Sequence, residues 1–299
     1  MISGDVPMHL VIQARTGFLT TAEPAIPTYA PIANVFTLTA RQMELVDLGS
    51  APMPTQNRGR PQFQDFVEKA LAVTAKDWDI SVWISYNAVK DDQTGELDRK
   101  VRGAGSNFQR HISQQCFSAL NAGDASTLFG LGYDGLTMFN ANHVDKGAAY
   151  TTVQNNVNAL TLNLTNFTTV RTAMRKILDD QGQPADLNYD LLVVSPDLEA
   201  AAFNITSNRE DATTANRAAN PWAGITKYIV SPKLDATAWF LVASSEPVKP
   251  IIIAMREPPS LQSAWFDPNA PDGGRYYFKF YARYNHFYGD WRLAAMGNT

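Results

Sequence analysis

The strongest periodic signal in the chain runs from about Gly95 to Ala122. Leu97, Val101, Ala104, Phe108, Ile112, Cys116, Ala119 and Leu120 recur at spacings of three and four, which places one apolar stripe on a helix. Thr94 is positioned to cap it, and Glu96 and Asp98 fall in the first turn, where the helix dipole favours negative charge. Gly123 sits where helices commonly end. Gly103 and Gly105 weaken the helix by about 1 kcal/mol each relative to alanine. At ~1.5 Å per residue the helix spans ~40 Å. That is long for a globular core and suits a spine crossing a flat plate.

Other segments alternate. Ile80, Val82, Ile84 and Tyr86 interleave with Ser81, Trp83 and Ser85, the period of a strand. Val35 to Leu48 predicts another strand, with Phe36 and Leu38 on one face and Val35 and Thr37 on the other. Between these lies Gly49 to Pro61, a loop by its Pro52, Pro54, Gly59 and Pro61, with Arg58 and Arg60 as its only charges. Phe63, Phe66, Val67, Ala70 and Leu71 then recur at helical spacing. A strand, a long loop and a returning segment form a projecting arm, whose apolar surface and open edges need a partner.

Further along, Phe167, Val170, Met174, Ile177 and Leu178 predict a second amphipathic helix, ended by Gly182 and Pro184. Leu191 to Val194 reads as a buried strand and Pro196 to Phe203 as a short helix. Thr206 to Ala219 is polar without a period, a long loop. Ile225 to Val230, Thr237 to Ala243, Ile251 to Met255 and Tyr276 to Tyr284 read as strands. The mixture lacks a regular βαβ repeat, so the fold class is α+β.

Residues Met1 to Asn34 hold Pro7, Pro24, Pro27 and Pro31, which disfavour long helices and central strands. Yet Leu10, Val11, Ile12, Phe18, Leu19, Ile26, Tyr29 and Ile32 are too apolar for a solvated tail. The expectation is an extended arm that buries these residues on a neighbouring subunit, and whose removal costs the fold no core element.

The bulk numbers narrow the function. A chain of 299 residues fits one large or two joined domains, and its 45% hydrophobic content supports a sizeable core. A net charge of −4 argues against a nucleic-acid coat. Cys116 is the only cysteine, so no intrachain disulfide forms and a reducing cytosol fits. Met1 to Leu19 lacks a basic start and a continuous apolar core, so no secretory signal is expected, and no apolar run is long enough for a membrane helix.

Candidate chemistry is sparse. Gly130-Leu-Gly-Tyr-Asp-Gly135 spells a dinucleotide fingerprint, but no strand precedes it and no crossover helix follows, so it reads as a glycine-rich turn. His9, His111, His143 and His286 show no metal-ligand spacing, and His143 with Asp145 reads as a structural contact. Cys116 reads as a buried hydrophobe and Asp91-Asp92 as a turn before the long helix. The expectation is no catalytic residue, no cofactor and no metal.

What the chain does carry is an ordered series of landmarks: Trp78 to Ile84, Asp91-Asp92, Gly95, Tyr133-Asp-Gly135, Phe139 and His143, Tyr189-Asp-Leu-Leu-Val-Val-Ser-Pro196, Asn220-Pro-Trp-Ala-Gly224, Ile229-Val-Ser-Pro-Lys-Leu-Asp-Ala-Thr-Ala-Trp-Phe240, Pro247-Val-Lys-Pro-Ile-Ile-Ile253, Tyr281-Ala-Arg-Tyr284 and Tyr288-Gly-Asp-Trp-Arg-Leu293. In order and spacing they resemble the major head subunit of Mu-like phages. The resemblance implies the tailed-phage and herpesvirus major capsid fold. Its parts fall at an N-terminal arm 1–34, an extended loop with flanking strands 35–90, a peripheral domain with the spine helix 91–159, an axial domain 160–245, and C-terminal strands 246–299 returning to the peripheral domain. It implies a non-enzymatic protein that self-assembles as hexamers and pentamers into an icosahedral head around the genome, in the virion, after assembly in the host cytoplasm. Its partners would be other copies, scaffold, portal and decoration proteins, and double-stranded DNA held non-specifically, with no membrane. A neutral or acidic wall would let such DNA slide, since phosphate affinity comes from Lys and Arg. The assembly residues expected are Arg58, Arg60 and Phe63 at the loop tip, and Leu10, Ile12, Phe18 and Leu19 in the arm. The alternatives are a nanocompartment shell of the same fold, and a nucleotide-binding enzyme resting on Gly130 to Gly135.

Overall fold

The structure, a computed structural model, describes residues 28–47, 69–91, 96–125, 127–144, 152–210, 219–266 and 274–297. In chain order these form strands β1 (Ala33–Thr37), β2 (Gln42–Asp47), β3 (Lys69–Thr74) and β4 (Lys76–Ser85), then helices α1 (Tyr86–Asp91) and α2 (Glu96–Asn121). Strand β5 (Val157–Asn158), helix α3 (Leu164–Met174), strand β6 (Leu191–Val194) and helix α4 (Glu199–Thr206) follow. The chain continues through β7 (Lys227–Val230), β8 (Trp239–Val242), β9 (Ile251–Phe266), β10 (Arg275–Tyr288) and β11 (Ala294–Gly297). The arrangement is α+β.

Helix α2 is the spine that the stripe predicts. Val101, Phe108, Ile112, Cys116, Ala119 and Leu120 are all buried. They pack on a four-stranded sheet of order β1-β9-β10-β4. On β10 every second residue from Tyr276 to Tyr284 is buried, the period that sends one face of a strand into a core. The Tyr288 hydroxyl donates to the Ala119 carbonyl at 2.9 Å, tying helix to sheet. Each buried aromatic here contributes roughly 1.5–3 kcal/mol.

The opposite face of this sheet carries a second, smaller core. Leu38, Val73, Ala75, Ile252, Ala254 and Phe287 form it, with Leu45 and Leu71 from the β2–β3 hairpin packed against them. The unbroken apolar run Ile251–Ala254 is thereby explained. Ile251 and Ile253 join the spine-helix core, whereas Ile252 and Ala254 join the other. A strand covered on both faces has no polar positions to alternate with.

The remaining sheet has five strands, β5-β11-β8-β6-β7. Its central strands β6 and β8 are buried at every position. The chain's last described strand, β11, sits between β5 and β8. The expected grouping placed 246–299 with the peripheral domain. β9 and β10 lie against the spine helix, but β11 crosses into the five-stranded sheet, and β5, expected within 91–159, pairs with it there.

Other expectations are corrected. The single strand over 35–48 is two. β1 runs parallel to β9, the chain bends at Thr39–Arg41, and β2 pairs antiparallel with β3. Leu38 sits at the break, fully buried, its N–H donating to the Met255 carbonyl at 2.8 Å. Ala70 and Leu71 belong to β3, not to a helix, because β2 offers them a ladder. Phe63, Phe66 and Val67 lie outside the described residues. Helix α3 ends at Met174, so Ile177 and Leu178 fall in the turn beyond it. Asp91 is the last residue of α1 rather than a turn. Gly123 follows α2 without a left-handed backbone. It is glycine because a Cβ there would meet the Phe139 ring at 2.7 Å. Ile32 is buried in its own subunit's core, with Tyr29 packed beside it. A truncation that spares the fold therefore stops before Tyr29, not at Asn34.

Candidate assembly surfaces

The stretch Gly130–Gly135 is turn and coil, with Gly130 and Gly135 at positive φ and no helix opening from it. Its Asp134 turns inward. The carboxylate accepts from the Leu136 amide at 3.0 Å and meets His143 Nδ1 at 2.5 Å, with both side chains buried. His143 thus pairs with Asp134, nine residues before it, and Asp145 lies outside the described residues. The imidazole stacks parallel on Trp291 at 4.2 Å. Burial alone would raise the Asp134 carboxyl, but the hydrogen bonds from His143 and Leu136 outweigh it and hold it below its ordinary value. This stabilising contribution is present at neutral pH and lost as pH falls through the depressed value.

The Cys116 thiol is buried, and burial pushes it far above its ordinary range, so it is no nucleophile. Among the described residues no three His, Cys, Asp or Glu side chains gather where they could hold a metal. Among those residues, too, no helix is long and apolar enough to cross a membrane.

Two histidines occupy the seam between α2 and β10. His111 Nδ1 meets the Tyr284 hydroxyl at 2.7 Å, and its Nε2 meets the Gln115 amide at 3.0 Å. His286 is buried and its Nε2 has no hydrogen-bond partner among the described residues. Burial, and then the charges of His111 and Lys76 against a backbone contact with Ile112, lower the His286 imidazole to about 4. Burial lowers His111 as well. Between the ordinary histidine value of 6.5 and about 4, the unfolded chain binds a proton that the folded one refuses. Stability should therefore fall as pH drops through that window, by about 3 kcal/mol in all from His286. Urea midpoints measured at neutral and mildly acid pH should show the loss in the wild type and a flatter profile in His286→Leu. Equal slopes would assign the loss to another group.

The residues expected to drive assembly, Arg58, Arg60 and Phe63 in the loop and Leu10, Ile12, Phe18 and Leu19 in the arm, all lie outside the described residues. The loop's root is described. Asp47 pairs with Lys69 at the loop end of the β2–β3 ladder, so the two residues flanking segment 48–68 stand side by side.

Three surfaces present apolar groups that no described element covers. The first is a groove of about 370 Å³ beside that hairpin, lined by Phe36, Leu45, Val46, Pro247, Val248 and Ile252 among others. Val46 is 57% exposed and Val248 47%. The second is the outer face of β4 and β10. There Trp83 is exposed, the Arg275 guanidinium lies 4.3 Å over its ring, and its cross-strand neighbour Tyr277 donates to the Ser81 hydroxyl. The third pairs Phe203 on α4 with Tyr228 on β7. Large exposed aromatics and arginines mark contact surfaces more often than plain solvent faces. The sequence placed Phe36 on one face with Leu38, and missed the groove. The signal was available in Val35 and Phe36, since a short strand apolar on both faces needs two covers.

Comparison with known proteins now adds to this geometry. Residues 68–292 match the model of a family described as phage capsid protein. Comparison with curated proteins finds no match. Among solved structures, the procapsid of bacteriophage JBD30 aligns at a TM-score of 0.57 and 19% identity, over 98% of this chain and 76% of that one. A virus-like particle from Pyrococcus furiosus aligns at 0.55 and 9%, over 96% and 98%. The structure of Mycobacterium phage Patience aligns at 0.55 and 10%, over 97% and 85%. These likenesses establish the tailed-phage capsid fold, and the family match spans well over half of the 299 residues. The chain belongs to the phage capsid protein family, and its work is structural rather than catalytic.

Proposed function

We propose that this chain is the repeating subunit of an icosahedral phage head, associating as hexamers and pentamers around double-stranded DNA. The observation that supports the reading is the β2–β3 hairpin, which packs on the four-stranded sheet and brings Asp47 and Lys69, the two residues flanking segment 48–68, side by side. A segment rooted in this way suits contact with a neighbour. The five-stranded sheet with α3 and α4 would form the axial domain, and α2 with the four-stranded sheet the peripheral one. Each contact between copies can be weak, because a closed shell repeats it many times. A net charge of −4 would let packaged DNA slide. Scaffold, portal and decoration proteins are the further partners of this reading, and the host cytoplasm its place of assembly. The nanocompartment alternative has the phage family match against it. The enzyme alternative loses its helix at Gly135. Negative-stain images of the purified chain test the proposal. Shells or capsomers are expected, and a stable monomer at micromolar concentration would count against it.

The loop tip gives a second test. Arg58 and Arg60 have no acidic residue between Gly49 and Gln64, so their counter-charges are expected on an adjacent copy. Exposed pairs contribute about 0–1 kcal/mol each, multiplied by repetition. The double change Arg58→Glu with Arg60→Glu should block assembly or make it salt-sensitive, while circular dichroism stays that of a folded subunit. Normal shells at both low and high salt would remove the loop tip from the assembly determinants.

A further inference from the structure

We infer that the groove beside the β2–β3 hairpin receives the N-terminal segment of a second copy of this chain, residues 8–19. The inference rests on the reading of residues before Tyr29 as an arm that crosses to a neighbour.

The groove's apolar lining includes Phe36, Leu45, Val248 and Ile252. Glu246 and Asp290 line it as well. Asp290 is committed to Arg292, at 3.2 Å. Lys249 is turned away, its Nζ donating to the carbonyls of Ser244 and Glu246. No hydrogen bond or ion pair with any described residue engages the Glu246 carboxylate. The site therefore asks for an apolar strand with one cation. Residues 8–19, Met-His-Leu-Val-Ile-Gln-Ala-Arg-Thr-Gly-Phe-Leu, supply two apolar runs either side of Arg15 and contain no acid. An apolar groove with a free carboxylate and an apolar segment with one cation make a matched pair.

The topology says why the occupant comes from another copy. Phe36 aligns with Ala254, and the groove also holds Ile252, so it opens on the face of the sheet that carries the smaller core. Tyr29 packs on the other face, in the spine-helix core and close enough to Cys116 for that thiol to act on its phenol. Residues 8–19 of the same copy would have to pass round the edge strand β1 to reach the groove, a detour that a second copy's segment avoids.

The sequence has no cysteine but the buried Cys116, so introduced thiols report alone. Two full-length variants are mixed before assembly. One carries Ile12→Cys or Phe18→Cys, and the other Val248→Cys. Mild oxidation should give a disulfide-linked dimer with at least one of the arm positions. The same arm variants mixed with Phe203→Cys, on α4, should give none. Glu246→Arg should suppress the dimer, and adding Arg15→Glu to the arm variant should restore it. Shells that form without an arm-to-groove dimer overturn this inference and leave the proposed function standing, whereas no assembly at all overturns both. A chain bearing both thiols that closes on itself as a monomer assigns the groove to its own segment and overturns the inference. A dimer of Phe63→Cys with Val248→Cys, where the arm variants give none, assigns it to the loop and overturns it equally.

Discussion

Replacing Gly297 with alanine should lower the melting temperature of the chain sharply, and replacing it with valine should leave little soluble protein. Gly297 ends β11 and stands directly across from Trp239 on β8. The indole lies over the glycine, and a Cβ there would sit well under 3.0 Å from the ring atoms Cε2, Cζ2 and Nε1. Neither partner can give way cheaply. Trp239 is fully buried, and its Nε1 donates to the Leu160 carbonyl at 2.9 Å. β11 is held on its other side by β5. Overpacking of this kind costs about 1–3 kcal/mol and occasionally more. The upper end is expected here, because moving the ring also breaks its hydrogen bond, a further loss of about 1 kcal/mol. A total near 4 kcal/mol lowers the melting temperature by roughly 8–16 °C for a unit of this size. Scanning calorimetry of Gly297→Ala beside the wild type measures it. Matching transitions would mean that the ring has room to move and that the five-stranded sheet is softer than its burial suggests.

The same pair shows where the sequence stops being readable. Ala294-Ala-Met-Gly297 has no period and no bulk, so nothing in it announces a strand paired on both sides within a sheet. Its place is set by a tryptophan more than fifty positions earlier. The spine helix was legible because its stripe is a local property, fixed by the 3.6-residue turn. β6 and β8 were legible because four consecutive apolar residues have few other destinations. β3 was misread for a physical reason: Ala70 and Leu71 continue a helical spacing begun at Phe63, and only pairing with β2 reveals a strand. The break at Thr39–Arg41 carries no glycine or proline, so the turn is imposed by Leu38 burying itself and not by local chemistry. The assembly surfaces divide in the same way. An apolar, proline-interrupted segment at the start of a chain signals an arm by composition. The groove does not, since Phe36, Val46 and Val248 come from three separate stretches that only the fold assembles.

The junction between the two larger sheets depends on one amide, and its removal should be the second most damaging single change. Asn156 is buried. Its Nδ2 donates to the carbonyls of Met138, Trp291 and Ala294 at 2.9, 3.1 and 3.1 Å, and its Oδ1 accepts from the Asn140 amide at 2.9 Å. These partners lie on the connector after the spine helix and on the turn from β10 into β11, so a single side chain fastens both crossings between the sheets. Asn156→Ala leaves up to three backbone groups without their partner, since the Trp291 carbonyl still accepts from the Ala294 amide. Each costs about 1–3 kcal/mol when left unpaired; with some relaxation and water entry, a total loss of roughly 3–5 kcal/mol is expected. Asn156→Asp separates the hydrogen bonds from the packing, because it keeps shape and volume. A carboxylate there would still accept from Asn140 but would face three carbonyl oxygens with no proton to give. Its folded-state pKa should lie above the ordinary aspartate value, so the penalty should be greatest at neutral pH. It should shrink as pH falls toward the raised value, where the protonated acid can donate once. Denaturant midpoints of both variants across pH, each referred to wild type at the same pH, make the comparison. An aspartate variant as stable as wild type near pH 7 would show that the three carbonyls do not depend on this donor, and that the junction is held by packing of Met138, Phe139 and Trp291 instead.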